Sequence, residues 1–293
     1  MRWKFLKALI LPVAFAASLT AQSWARQTQA PQSAQQPTPS YSIEAIRYAT
    51  IPKFPLSGLI PGAPRDQQID IAMVVWLIRG GGRTILFDSG FHRDKWFTQF
   101  NVTDFLSPDK AVQLAGVDPA QVTDLIISHA HWDHMDGVDL FPNAVIWIQK
   151  AEYEYYSGSA WQPGGRRGGI DSDDVQELVR RNLAGKVRFV DGDDKEVLPG
   201  IRAYTGARHT YASQYIRVDG QPPFVLASDN CYLYENLKSH RAGATFDPSD
   251  ASGNIAAQQR MVELAGSPDR VVPGHDPEQF NRFPTTGRIA RIR

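Results

Sequence analysis

Three histidines and an aspartate fall within one short stretch, Ser128-His129-Ala130-His131-Trp132-Asp133-His134. Imidazole and carboxylate are the donors that borderline divalent ions such as zinc prefer. The apolar run just before it, Leu125-Ile126-Ile127, reads as the end of a buried strand. On extended chain alternate side chains share a side, so His129 and His131 point together. A turn after them would swing Asp133 and His134 toward a neighbouring point, so one loop can feed two adjacent metal positions. The whole chain holds only 7 histidines, which weighs against a chance surface cluster.

The stretch resembles the His-x-His-x-Asp-His signature of the metallo-β-lactamase superfamily. That resemblance implies three further ligands in order: a histidine on a strand-to-loop turn, a bridging aspartate at a strand end, and a histidine near the C-terminus. The sequence offers His209 in Gly206-Ala207-Arg208-His209-Thr210, Asp229 in Ala227-Ser228-Asp229-Asn230, and His275 in Pro273-Gly274-His275-Asp276. The match spans residues 41–293 and implies an α+β fold, the four-layer αβ/βα sandwich of that superfamily. Carried over, His129, His131 and His209 would hold one divalent ion, and Asp133, His134 and His275 a second. Asp229 would bridge the two. Zinc is the expected metal, although iron, manganese or cobalt also suit such donors. A water shared by the ions, with a pKa near ~7, would attack a carbonyl as bridging hydroxide.

Two features point within that family to lactone opening. Tyr232 falls three residues after Asp229, where acyl-homoserine lactonases carry a tyrosine beside the metals. Its phenol would hold the oxyanion, while Asp133 or Asp229 relays the proton to the leaving alkoxide. A bridging Asp229 also argues against β-lactam cleavage. The expected function is therefore a quorum-quenching lactonase acting on an acyl-homoserine lactone. The alternatives are a broad esterase, phosphotriesterase or β-lactam hydrolase on the same centre, or a non-catalytic metal-binding module. Trp132, Phe91, Trp96, Tyr153, Tyr155, Tyr156 and Trp161 are candidate pocket walls, with ordinary core as the competing role for each. His92 and His240 are not expected to be ligands. Asp88-Ser89-Gly90 resembles the family's Asp-Thr-Gly turn beneath the metals, and Asp88 is expected to accept backbone N–H bonds there. Where the family has Gly before its third histidine, this chain has Arg208, which must accept the glycine's backbone angle and is expected to turn toward the site.

The elements that position these residues follow from the rest of the chain. Residues 1–25 read as a signal peptide: Arg2, Lys4 and Lys7, then an apolar run from Ala8 to Ala17, then Ser23-Trp24-Ala25 as a cleavage site. Residues 26–40 are a Gln/Pro/Ser/Thr-rich tether, and 41–293 the hydrolase domain. Export to the periplasm or medium is expected, with no membrane attachment after cleavage. The 31 basic side chains fall to 28 once Arg2, Lys4 and Lys7 are removed, against 31 acidic ones. Such a balance offers no field for nucleic acid, so the expected partner is a small-molecule substrate; a homodimer is neither demanded nor excluded. The lone Cys231 rules out an intramolecular disulfide and reads as a small buried residue. Strands are expected at Ile69–Ile78, Arg83–Phe87, Ala144–Gln149, Val187–Val190, Ile201–Thr205, Gln214–Val218, Phe224–Ser228 and Arg270–Val272. Helices are expected from Ser107-Pro108 and Asp118-Pro119, over Lys150–Tyr156 and Asn254–Ala265, and over Asp173–Leu183 with Val175, Leu178, Val179 and Leu183 facing inward.

Overall fold

The computed structural model of the chain describes residues 39–293. The signal peptide read in 1–25 and the tether read in 26–40, apart from Pro39 and Ser40, lie outside the described residues. The strands in chain order are β1 Ser42–Pro55, β2 Gln68–Gly80, β3 Arg83–Phe87, β4 Asp124–Ile126, β5 Val145–Gln149, β6 Val187–Val190 and β7 Lys195–Leu198. They continue as β8 Ile201–Tyr204, β9 Tyr215–Val218, β10 Phe224–Ser228, β11 Val271–Pro273, β12 Thr285–Thr286 and β13 Ile289–Arg291. One sheet runs β12-β13-β1-β2-β3-β4-β5-β6, and the other β11-β10-β9-β8-β7. β1, β2 and β3 pair antiparallel, whereas β3 to β6 are parallel neighbours. Parallel pairing needs crossovers, and the helices Pro108–Leu114, Lys150–Ser157 and Ser172–Leu183 lie on those connections.

β2 shows how the layers arise. Its Ala72, Val74, Trp76 and Ile78 join a buried cluster with Ile201, Ile216, Leu226 and Val272 of the second sheet, so that face lies between the sheets. Its Ile71, Met73, Val75 and Leu77 join a second cluster with Val112, Tyr156, Val175 and Leu178 of the helices outside. A strand buried on both faces reads as an unbroken apolar run, with the period of two hidden in it. β10 does the same on the other side. Phe224 and Leu226 face the first sheet, while Val225 and Ala227 pack with Ala257, Met261 and Ala265 of the helix Ala251–Ala265. Helix, sheet, sheet and helix give the four-layer α+β sandwich. Among the described residues no helix is long and apolar enough to cross a membrane.

The strands and main helices lie close to their expected positions, with three corrections. Asp118-Pro119 starts only a three-residue 3-10 turn, Pro119–Gln121, because Thr123 already hydrogen-bonds to Thr84 and commits the chain to β4. In the helix Ser172–Leu183, Leu183 is 84% exposed and Arg181 is buried in its stead. The Arg181 guanidinium donates to the carbonyls of Val138 and Pro142 at 2.9 and 3.1 Å, which gives the buried charge its acceptors. The long β1 was not anticipated. Glu44 and Arg47 interrupt its alternation, and it is held by pairing with β2 on one edge and β13 on the other.

Ile216 of β9 is fully buried between the sheets. Ile216→Ala is expected to lower the unfolding free energy by about 2–5 kcal/mol, read from the urea midpoint at unchanged slope.

Candidate metal centre

All seven candidate ligands leave the C-terminal ends of strands. His129, His131, Asp133 and His134 follow β4, His209 follows β8, Asp229 follows β10 and His275 follows β11. His131 has extended backbone (φ −66°, ψ 150°) and caps the single helical turn Trp132–Met135, which turns Asp133 and His134 back over the site. Ser228, at φ +48°, bends β10 sharply into Asp229. The β10 and β11 ends approach so closely at Gly274 that a Cβ there would sit 2.8 Å from Asp229 Oδ1. Gly169 lies across the front of the site: its carbonyl accepts Trp132 N–H at 3.0 Å, and a Cβ would meet His131 at 2.8 Å.

The donor atoms form two groups, each with its atoms within 4.8 Å of one another. In the first, His131 Nδ1 lies 3.0 Å from His129 Nε2 and 2.9 Å from His209 Nε2. Asp229 Oδ2 is 3.9 Å from the His129 nitrogen and 3.5 Å from that of His209. In the second, Asp229 Oδ1 lies 3.2 Å from His134 Nε2 and 2.9 Å from His275 Nε2, and Asp133 Oδ2 is 3.4 and 3.5 Å from the same nitrogens. Asp229 thus gives one oxygen to each group. Donors around a tetrahedral ion with zinc-like bonds sit roughly 3.4 Å apart, the spacing seen here.

The other ring nitrogens explain why these face inward. His129 Nδ1 meets Ser128 Oγ at 2.8 Å, His134 Nδ1 meets Asp88 Oδ2 at 2.9 Å, His209 Nδ1 meets the Ala244 carbonyl at 3.0 Å and His275 Nδ1 meets the Ala72 carbonyl at 3.0 Å. A ring that donates through Nδ1 offers a lone pair at Nε2. Lone pairs therefore face lone pairs across the centre, and buried His134 Nε2 and Asp229 Oδ1 have no hydrogen-bond partner. Positive charge must fill such a site, and the donor set fits two divalent ions.

The proton affinities express the same demand. Burial, then the neighbouring histidines, hold His129 well below the ordinary histidine value, and burial and His209 take His131 down to about 3. Burial likewise lowers His209. The first group is therefore neutral imidazole, ready to ligate. Burial would also lower His134 and His275, but the charge of Asp229, with Asp133 behind it, outweighs it and raises both. Burial would raise Asp229, yet the charges of His275 and His134 hold it well below the usual carboxylate range.

Asp88 corrects its sequence reading. It does not cap its own turn. It accepts Ser128 N–H at 2.7 Å, the Ser128 and Ser228 hydroxyls at 2.9 and 2.8 Å, and His134 Nδ1. Arg208 does adopt the glycine-like angle, φ +52°. Its side chain, however, is drawn to Asp250 at 3.3 Å and the Tyr211 carbonyl, not into the centre. Cys231 is buried, and His92 pairs with Asp139.

Two cavities open on the centre and share His131 and Tyr232 as lining. One, about 200 Å³, is apolar, walled by Ile51, Phe54, Leu59, Ile71, Phe100 and Trp132. The other, about 420 Å³, is more polar, with Tyr156, Arg166, Thr210, Thr245 and Phe246. Of the aromatics proposed as walls, Trp132 and Tyr156 line these cavities. Trp96 instead stacks on Trp132 at 4.3 Å, Tyr155 stacks on Tyr211, Tyr153 packs on Phe189, and Phe91 is core. Ile51, Phe54 and Leu59 were missed because nothing in their own sequence marks proximity to a loop far along the chain. The Tyr232 hydroxyl lies 3.1 Å from His209 Nδ1. Burial, then Asp229, pushes its phenol well above the ordinary value, so it remains a proton donor.

The fold and the paired donor groups define a candidate centre for two metal ions. The Metallo-beta-lactamase superfamily pattern matches residues 73–275, and the chain belongs to that superfamily. It is 29% identical over 178 residues to the N-acyl homoserine lactonase AttM of Azorhizobium caulinodans, covering 59% of this chain and 65% of that one. The chain thus spans just under two thirds of that relative. To the N-acyl homoserine lactonase AiiB of Agrobacterium fabrum it is 25% identical over 234 residues, 72% of this chain and 82% of that one. The crystal structure of a quorum-quenching N-acyl homoserine lactone lactonase superposes with a TM-score of 0.67 at 21% identity, over 81% of this chain and 93% of that one.

Asp88→Asn exchanges an acceptor of four hydrogen bonds for an amide that accepts at one atom only. It is expected to cost roughly 2–4 kcal/mol of unfolding free energy, checked by urea titration of metal-free protein.

Proposed function

We propose that the protein is a dinuclear metal-dependent lactonase that opens the ring of N-acyl homoserine lactones. His129, His131 and His209 would hold one ion and Asp133, His134 and His275 the other, with Asp229 offering one oxygen to each group. The observation that carries this reading is the Tyr232 hydroxyl, set beside the paired donor groups on the wall common to an apolar and a polar cavity. Named relatives that are N-acyl homoserine lactonases support it. Two divalent ions bound there, zinc on this reading, would acidify the water between them toward ~7 and polarise the lactone carbonyl.

The residues supply the rest. The apolar cavity takes the acyl chain, which brings the ring carbonyl against Tyr232. The phenol donates to the carbonyl oxygen and more strongly to the oxyanion that replaces it, a contact that favours the transition state over the ground state. Water oxygen bonds to the carbonyl carbon, the ring carbon–oxygen bond breaks, and Asp133 or Asp229 carries the water proton to the departing alkoxide. The product is the ring-opened hydroxy acid, and one acid equivalent is released. The signal-like residues 1–25 support export to the periplasm or medium as the place of action; fractionation of expressing cells, with N-terminal sequencing of the mature chain, tests it.

Zinc-loaded residues 26–293, given a long-chain acyl-homoserine lactone in weak buffer, are expected to release protons, and a chelator to abolish the release. Silence with lactone beside turnover of aryl esters or phosphotriesters would overturn the substrate. Tyr232→Phe is expected to lower kcat about 10²–10³-fold with both ions retained by metal analysis. Full activity in that variant would remove the phenol from the mechanism.

Metal uptake has its own proton signature. The charges of Asp229 and Asp133 raise the proton affinity of His134 and His275 above the ordinary histidine value, whereas burial lowers that of His129, His131 and His209. Loading metal-free protein is expected to release protons, chiefly from the second group, read by calorimetry in buffers of different ionisation enthalpy. The release should shrink as pH rises through the elevated values.

A further inference from the structure

The first metal position is assembled from two sheets. His129 and His131 leave the eight-stranded sheet and His209 the five-stranded one. Backbone pairing within each sheet fixes neither distance between the two loops. Gln214 ties the strand ends behind them, donating its N–H to the Ser128 carbonyl and its amide to that of Ile127, and at the ligand loops themselves the carboxylate of Glu152 reaches both. Glu152, in the first turn of the helix Lys150–Ser157, is fully buried, and its carboxylate oxygens accept three hydrogen bonds. Oε1 accepts the backbone N–H of Ala130 at 3.0 Å and the hydroxyl of Thr210 at 2.6 Å; Oε2 accepts the backbone N–H of Ala212 at 2.7 Å. Ala130 sits between His129 and His131, and Thr210 follows His209. We propose that Glu152 is a positioning residue that clamps the 129–131 loop to the 209–212 loop and so sets the spacing of the three histidine nitrogens of the first metal position.

The geometry makes the role selective. All three partners of Glu152 are donors, so both oxygens must accept, which a carboxylate can do and an amide cannot. The second position hangs on different anchors: Asp88 orients His134, and Ala72 holds His275 through its carbonyl and through its own N–H to the His275 carbonyl. Loss of the clamp should therefore disturb the first position and leave the second in place. Groups behind metal ligands are worth on the order of 10–100-fold in metal affinity. In Glu152→Gln the amide nitrogen must oppose the N–H of one loop, freeing that loop while filling the same volume.

This inference rests on the ligand reading above, and the test separates the two. Metal-free protein is titrated with cobalt(II), followed by its visible absorption and by chelator competition. The parent is expected to take up two ions. Glu152→Gln, with unchanged far-ultraviolet dichroism, is expected to keep one site at parental affinity and to weaken the other about 10–100-fold. Glu152→Asp, which keeps two acceptor oxygens, should recover part of that loss, and Thr210→Val, which removes one donor, should show a smaller loss confined to the same site. Two parental sites in folded Glu152→Gln, or equal weakening of both sites, would overturn the clamp. If Glu152→Gln does not fold, two parental sites in Thr210→Val would overturn it equally. A parent that binds fewer than two ions would instead remove the ligand reading, and the clamp with it.

Discussion

A single buried carboxylate, that of Asp88, meets the ends of three strands and one of the imidazoles. It stands where β3 stops, accepts from Ser128 just past β4 and from Ser228 at the end of β10, and orients His134. β3 and β4 belong to one sheet and β10 to the other, so the contact also pins the two sheets at the edge where the ligands emerge. A carboxylate away from water is tolerable only when its lone pairs are filled. Four donors do that here, and each is held by an element whose position the site requires. Asp88 can therefore sit where it does only if the strand ends are already in register, and the strand ends stay in register partly because of Asp88.

The electrostatics of the centre follow from this frame. Each ring but His131 has one nitrogen committed to a hydroxyl, carboxylate or carbonyl, which decides the side from which it can accept an ion. On one side three mutually repelling imidazoles stay neutral; on the other two carboxylates draw positive charge onto His134 and His275. Asp229, with an oxygen on each side, couples them. The centre is thus unequal by construction, and Tyr232 touches both sides, its hydroxyl 3.1 Å from His209 Nδ1 and its ring stacked on that of His275.

Much of this was legible along the chain. The 129–134 stretch carries its own geometry, because ligands close in sequence need only a strand end and a turn to converge. His209, Asp229 and His275 were picked out as the further ligands that the superfamily resemblance implies, and each follows an apolar strand run. The period-two burial of β2 and β10 was visible only as continuous apolar composition, enough for a strand but not for the layer each face meets. Leu183 against Arg181 shows the limit of helical periodicity. The pattern places Leu183 inward, yet it is Arg181 that is buried, its long guanidinium reaching the carbonyls of Val138 and Pro142.

Residue type and local order by themselves determined the imidazole-and-carboxylate cluster of 129–134 after a buried strand, and the resemblance those residues carry added His209, Asp229, His275 and Tyr232. Residue type and local order are short-range properties, carried by neighbours in the chain. Tertiary structure alone decided which oxygen of Asp229 serves which group, that Asp88 accepts from strand ends and not from its own turn, and that Arg208 is drawn to Asp250. It likewise brought Ile51, Phe54 and Leu59 to the metal loop and set Glu152 between Ala130 and Ala212. Such contacts join residues far apart in sequence, and a hydrogen bond or a packed ring depends on distance in space, which composition and periodicity do not encode.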